Sequence, residues 1–90
     1  MKPFEWDDAK NERLMRIRGI SFEDVDSAIA RGELLDVVEH PNRNRYPHQK
    51  VMIVKINIYA YAVPYIENET ALFLKTIYPS RQYTKKYLQK

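Results

Sequence analysis

The side chains that could do chemistry in this chain are cations, histidines and tyrosines, and the cations are unevenly distributed. Residues 46–90 carry seven Lys or Arg against two Asp or Glu, whereas residues 1–45 carry eight against ten. From Thr70 to Lys90 there are five cations and no acid. Such cations would attract a polyanion if they share one face of the fold. A solvated, lysine-rich terminal helix explains the basic end equally well.

Lys75 and Arg81 are the first candidates for binding phosphate. They lie at the end of a predicted strand and at the start of the helix that follows it, where helix-start N–H groups can bind phosphate too. Two structural alternatives stay open for them. Lys75 could be an ordinary surface lysine, and Arg81 could pair with a carboxylate such as Glu39.

A polar loop before the long central strand region supplies further candidates. His40 and His48 bracket this loop, and histidine titrates near neutrality when it is unperturbed, so either could be a general acid or base. His40 is the one we assign to catalysis, although a loop histidine is more often a solvated bystander. Tyr46 could stack on a splayed base or simply close the loop over the sheet.

This set of residues fits metal-free RNA cleavage. RNA carries its own nucleophile, the 2′-hydroxyl, so a protein need only align it, take its proton, neutralise the phosphorane and protonate the leaving oxygen. We expect Lys75, Arg81 and His40 to be catalytic. The expected RNA contacts are Arg43, Arg45, Tyr46, Ser80, Lys85 and Lys86.

Other chemistries lack their motifs. There is no cysteine, the two histidines are not at helical ligand spacing, and two isolated glycines cannot form a phosphate cradle, so we expect neither a metal nor a nucleotide cofactor. No apolar run is long enough to cross a bilayer, and the acidic start does not resemble a signal peptide. We therefore expect a cytoplasmic protein without a membrane partner.

The first predicted helix begins at Asp7 or Asp8 and ends before Gly19, with Leu14 and Ile17 on one face. The second is better marked. Residues 21–24 resemble a capping box, flanked by a hydrophobic staple, and Gly32 ends the helix. Its apolar face is formed by Phe22, Val25, Ala28 and Ile29.

The remaining chain is typical of strands followed by one helix. Residues 34–39 predict a strand, and residues 51–66 predict two strands that turn near Asn57. Pro64 suggests an edge or a bulge, because proline cannot donate to a central ladder. The near-continuous apolar residues 71–77 predict a last, central strand.

Pro79 should stop that strand, and Ser80 should cap a closing helix to about Leu88, whose Tyr83 and Tyr87 share a face that packs on the sheet. The 90 residues thus predict a single α+β domain with the element order β-α-α-β-β-β-β-α. Two N-terminal helices and a C-terminal helix pack on a mainly antiparallel sheet of about four or five strands.

Nearly the whole chain resembles the BrnT-type toxins of bacterial type II toxin–antitoxin pairs, in the branch with ribbon-helix-helix antitoxins. The N-terminal motifs that carry the resemblance are Phe4-Glu5-Trp6-Asp7-Asp8-Ala9-Lys10-Asn11 and Arg18-Gly19-Ile20-Ser21-Phe22-Glu23. The later ones are Glu39-His40-Pro41-Asn42, Tyr46-Pro47, Val63-Pro64 and Leu74-Lys75-Thr76-Ile77-Tyr78-Pro79-Ser80-Arg81. Better-known members have Lys-His-Gly where this chain has Arg18-Gly19, and a more arginine-rich tail.

The resemblance implies a RelE-like fold and a metal-independent endoribonuclease that inhibits translation. It also implies a cognate ribbon-helix-helix antitoxin that neutralises the toxin and binds operator DNA. Two alternatives from other classes stay open. One is a non-catalytic RNA- or ribosome-binding module, and the other is a subunit whose basic surface only receives an acidic antitoxin segment.

Overall fold

The computed structural model describes residues 1–89 and shows an α+β fold. Its elements are β1 (Phe4–Glu5), α1 (Asp8–Arg18), α2 (Phe22–Ala30), β2 (Leu34–Glu39), β3 (Lys50–Ile56), β4 (Tyr59–Glu67), β5 (Leu72–Leu74), β6 (Tyr78–Pro79) and α3 (Arg81–Leu88).

The predicted helix boundaries are confirmed by their caps. Asp7 accepts a hydrogen bond from the Lys10 N–H, and Gly19 ends α1 in the left-handed region at φ 68°. The Ser21 hydroxyl and the Asp24 carboxylate bond reciprocally to each other's backbone N–H groups, which is a complete capping box. These local signals depend only on neighbouring residues, so the sequence is sufficient to place them.

Burial along α1 differs from the prediction. Leu14 is buried, but Ile17, expected on the same inward face, is 71% exposed. Contact with the rest of the fold ends near Leu14, and the last turn of α1, with Arg16 and Arg18, lies in solvent. A helical repeat shows which residues share a face, but it does not show how far along the helix the contact extends.

The sheet is larger and more mixed than predicted. Its strands lie in the order β1-β5-β4-β3-β2, β6 adds to β4, and the described residues thus form six strands. The pairing of β1 with β5 is parallel, whereas the other pairs are antiparallel. The expected count of four or five omits β6, which is only two residues long.

The hairpin between β3 and β4 turns at Asn57 and Ile58, as predicted. Both residues have positive φ, 54° and 65°, which is the backbone of a two-residue type I′ turn. Asn tolerates this region, but a β-branched residue does not, so Ile58 is held in an unfavourable conformation.

Helices cover the two faces of the sheet. On one face α1 and α2 pack against the β3 and β4 side chains Met52, Val54, Ile56, Val63 and Tyr65. On the other face α3 packs against Val51, Ile53, Ala60 and Ala62. Tyr83 and Tyr87 lie in this second contact, so the predicted packing face of the closing helix is confirmed.

Candidate functional site

The candidate site forms beside β4, at the stretch between its pairing with β5 and its pairing with β6. Residues 71–77 were predicted as one strand, but the ladder ends at Leu74 and resumes only at Tyr78, which pairs with Ala62. Between these points, the Lys75 N–H still donates to the Pro64 carbonyl at 2.8 Å. The chain then leaves the sheet through Thr76 and Ile77, so the prediction of one continuous strand is wrong.

Pro64 explains the break. β4 lies inside the sheet, with β3 on one side, so the predicted edge position is wrong and the alternative of a bulge is closer. The N and O atoms of one antiparallel residue point toward the same neighbouring strand. The Pro64 oxygen points toward Lys75, so the Pro64 nitrogen, which carries no hydrogen, faces the interrupted segment.

A groove of about 420 Å³ opens at this break. Its lining comes from α1, the loop between β2 and β3, β4, and the segment from β5 to β6. The lining residues are Lys10, His40, Tyr46, Gln49, Pro64, Lys75, Thr76 and Tyr78. The fold thus brings together three residues singled out from the sequence, His40, Tyr46 and Lys75, and surrounds them with no carboxylate.

Lys10 is the groove residue that sequence reasoning missed. It is half-buried, and its backbone N–H is fixed by the capping bond to Asp7 at 3.2 Å. Sixty-five positions separate it from Lys75, so only the tertiary fold reveals the pairing. One signal was available: a cation in the first turn of a helix opposes the helix dipole, which makes Lys10 unusual for a purely structural residue.

Lys75 contributes an uncompensated positive charge. Its side chain is exposed, and its Nζ lies 5.3 Å from the centroid of the Phe73 ring, a cation–π contact. Among residues 1–89 the one salt bridge is between Lys2 and Glu67. A bound anion would therefore not have to displace a carboxylate from Lys75.

His40 is oriented by the loop that carries it. Its Nδ1 accepts the Asn42 N–H at 3.0 Å, so the neutral imidazole carries its proton on Nε2. The ring packs against Tyr46, with 4.5 Å between centroids. In this arrangement His40 offers an Nε2–H donor, whereas the lone pair a general base would use is occupied by Asn42.

Tyr46 and Tyr78 supply the aromatic walls. The Tyr46 N–H donates to the Asn42 carbonyl at 2.9 Å, and Arg45 lies 5.5 Å from its ring centroid, so Tyr46 closes the loop. Stacking of its ring on a base stays a prediction. Partial burial raises the pKa of the Tyr78 hydroxyl above its usual value, which keeps it protonated and able to donate.

Arg81 and Ser80 do not line the groove. The Ser80 N–H bonds to Ala60 and the Lys75 N–H to Pro64, four residues apart on β4, which is about 13 Å of strand. The Ser80 hydroxyl accepts the Tyr83 N–H at 3.2 Å as the helix cap. The alternative ion pair between Arg81 and Glu39 does not form within residues 1–89.

The remaining candidates do not line the groove, although Arg45 lies against the Tyr46 ring. Arg43, Arg45 and His48 are exposed on the loop, and Lys85 and Lys86 are exposed on α3. Lys90, which belongs to the basic end of the sequence, lies outside the described residues.

Two further findings concern the described part of the chain. Residues 1–89 hold no group of three His, Asp or Glu side chains placed to bind a metal ion. None of the helices found there has the length and apolar character required to span a bilayer. In comparisons with known proteins, no family model, no curated protein and no solved structure matches this chain.

Proposed function

We propose that the groove binds and cleaves single-stranded RNA and that the protein is a metal-independent ribonuclease toxin. One observation supports this most: two lysines and two neutral donors converge on one groove whose lining contains no carboxylate. A phosphodiester is the anion that such a groove fits, and RNA supplies the nucleophile that the groove lacks.

The chemistry follows from these positions. The 2′-hydroxyl oxygen attacks phosphorus and the bond to the 5′ oxygen breaks, which leaves a 2′,3′-cyclic phosphate and a 5′-hydroxyl. Lys10 and Lys75 offset the negative charge that grows on the phosphorane, and the His40 Nε2–H and the Tyr78 hydroxyl donate to its oxygens. Proximity and electrostatic stabilisation are thus the main contributions of the protein.

The orientation of His40 gives this proposal a kinetic signature. Because Nδ1 is engaged by Asn42, solvent takes the proton of the 2′-hydroxyl and returns one to the leaving oxygen. The cleavage rate should then rise with pH through the neutral range. A bell-shaped profile would instead indicate a paired acid and base within the site.

Cleavage of a labelled RNA by purified protein tests the assignment. Lys75→Gln and Lys10→Gln should each lower the rate by about 10²-fold, as loss of one electrostatic donor does in other enzymes. Lys55→Gln is the matched control, because Lys55 lies near the hairpin end of β3, away from the groove. Equal rates for the three variants would contradict the role of the groove.

One observation favours a second candidate function. The described groove contains one imidazole, whose Nδ1 is already engaged by Asn42, and its lining includes no second histidine and no carboxylate. A non-catalytic RNA- or ribosome-binding module could use the same residues. That function predicts salt-sensitive RNA binding without new RNA ends.

The biological setting we propose rests on the resemblance to BrnT-type toxins. The α+β class supports, at a coarse level, the RelE-like fold that the resemblance implies. We propose a cytoplasmic toxin neutralised by a ribbon-helix-helix antitoxin that also binds operator DNA. Expression of the chain alone should arrest growth, and Lys75→Gln should relieve the arrest.

The neighbouring reading frame tests the partner separately. A small ribbon-helix-helix protein encoded there, able to restore growth when expressed with this chain, would support the pair. If the chain bound that protein tightly but neither bound nor cleaved RNA, the protein would be an interaction subunit, and the nuclease proposal would be wrong.

A further inference from the structure

The exposed side of α3 carries three cations that do not line the groove. A helix turns about 100° per residue, so Arg81 and Lys85 lie one above the other on one flank. Lys86 lies on the opposite flank, and the side that packs on the sheet is formed by Tyr83, Thr84, Tyr87 and Leu88. Arg81 and Lys85 are therefore presented to solvent together, and we call them the α3 flank.

The two flanks of α3 differ in their local partners. The pKa of Asp36 is lowered chiefly by the hydrogen bond from Tyr87, with a smaller contribution from the charge of Lys86, and the Lys86 Nζ is 5.3 Å from the Tyr87 ring centroid. Tyr87 itself donates to Asp36. Arg81 and Lys85 have no carboxylate within salt-bridge distance in residues 1–89, and α3 contains no acid. Their charge is thus available to an external anion.

Arg81 also lies where a cation is unfavourable for the helix itself. The first turns of α1 and α2 carry the acids Asp8, Glu23 and Asp24, which complement the helix dipole. The first turn of α3 carries Arg81 and no acid. A residue that opposes the local electrostatics of its own helix is better explained by binding than by folding.

The α3 flank continues from the wall of the groove. Tyr78 of β6 lines the groove and also packs in the core cluster that contains Tyr83 of α3, and Ser80 and Arg81 follow β6 directly in the chain. An RNA strand with one phosphate between Lys10 and Lys75 would pass along β6 toward α3. The α3 flank and an RNA backbone are complementary in charge.

We propose that Arg81 and Lys85 bind the backbone of the same RNA strand outside the groove, so that the substrate is a run of several unpaired nucleotides. This inference rests on the proposed function of the groove. It moves Arg81 from the cleaved phosphate, where the sequence suggested it, to a neighbouring phosphate of the substrate.

The test measures binding of 2′-O-methyl oligonucleotides, which lack the nucleophilic hydroxyl and are not cleaved. A trinucleotide occupies only the groove, whereas a nonanucleotide also reaches the α3 flank. The double variant Arg81→Gln/Lys85→Gln should bind the trinucleotide like wild type and the nonanucleotide more weakly. Arg16→Gln/Arg18→Gln, which removes two exposed cations from the last turn of α1, is the matched control and should bind the nonanucleotide like wild type.

Salt dependence gives the magnitude. Each phosphate contact to a single strand adds about 0.7 to the slope of log affinity against log salt, so two contacts add about 1.4. Between 50 and 200 mM salt, the nonanucleotide affinity of wild type should then fall about sevenfold more than that of the double variant. Equal salt slopes for wild type and the double variant would overturn the inference.

The outcomes separate this inference from the proposed function. If wild type binds neither oligonucleotide, the groove proposal fails and the flank proposal fails with it. If wild type binds both equally and the double variant changes nothing, only the flank proposal fails. If the double variant loses the trinucleotide as well, Arg81 belongs to the groove site and the reassignment is wrong.

Discussion

Replacement of Thr84 by valine should weaken the attachment of α3 to the sheet. The Thr84 hydroxyl accepts the Ala60 N–H at 2.9 Å and donates to the Ser80 carbonyl at 2.7 Å, while Thr84 is 4% and Ala60 0% exposed. Valine has nearly the same shape but no hydroxyl, so the Ala60 N–H would stay buried without an acceptor. The Ser80 carbonyl keeps the Thr84 N–H and is not orphaned.

The magnitude follows from that single orphaned donor. A buried N–H without a partner costs about 1–3 kcal/mol of the free energy of unfolding. For a domain of this size, 1 kcal/mol lowers the thermal midpoint by about 4–8 °C, so Thr84→Val should lose about 4–24 °C. Thermal unfolding followed by circular dichroism measures this loss directly.

Two additional measurements make the result specific. Thr84→Ser keeps the hydroxyl and removes one methyl group, which should cost no more than about 1 kcal/mol. Hydrogen exchange at the Ala60 amide should accelerate in Thr84→Val and stay slow in Thr84→Ser. The reasoning is refuted if Thr84→Val melts at or above the wild-type temperature with its Ala60 amide still protected.

Three other changes test separate parts of the structure. Ile58→Gly should raise the free energy of unfolding by about 0.5–1 kcal/mol in denaturant titrations, because Ile58 is 85% exposed and glycine adopts φ 65° without strain. Ile58→Ala keeps the backbone strain and is the control. The hydrogen bond to Asp36 raises the pKa of Tyr87 from 10.0 to about 12. The stability that this bond adds to the folded protein is therefore complete below pH 10 and lost between pH 10 and 12. The midpoint difference between wild type and Tyr87→Phe should shrink across that window; a constant difference would contradict the bond. Arg81→Glu should raise the free energy of unfolding by about 0.3–1 kcal/mol through the helix dipole, and the thermal midpoint with it, while weakening nonanucleotide binding. A loss of both thermal stability and binding would contradict the assignment.

The local signals of the sequence were enough to predict much of the fold. Helix caps at Asp7 and Ser21, and the turn near Asn57, each depend on residues within a few positions of one another. The last strand was mispredicted because a run of apolar residues fits two structures equally well. Its backbone can pair in a β-ladder, or it can leave the sheet while its side chains stay buried. Ile77 is fully buried although it lies outside the strands.

The groove was predicted only in part, for a similar reason. Lys75 and His40 were identified by residue type and by their position near strand ends. Lys10 was not, because its proximity to Lys75 depends on how α1 crosses the sheet. The break between β5 and β6 depends on the Pro64 nitrogen facing the segment after β5. Predicting that orientation requires the pairing register of β4, which the sequence pattern does not specify.

Analysis of the RNA ends tests the central claim most directly. Wild-type protein incubated with single-stranded RNA and a chelator should produce fragments ending in 2′,3′-cyclic phosphate and 5′-hydroxyl groups, and Lys75→Gln should produce about 10²-fold fewer. Intact RNA, cleavage abolished by the chelator, or cleavage unchanged in Lys75→Gln would contradict the proposal of a metal-independent nuclease in this groove.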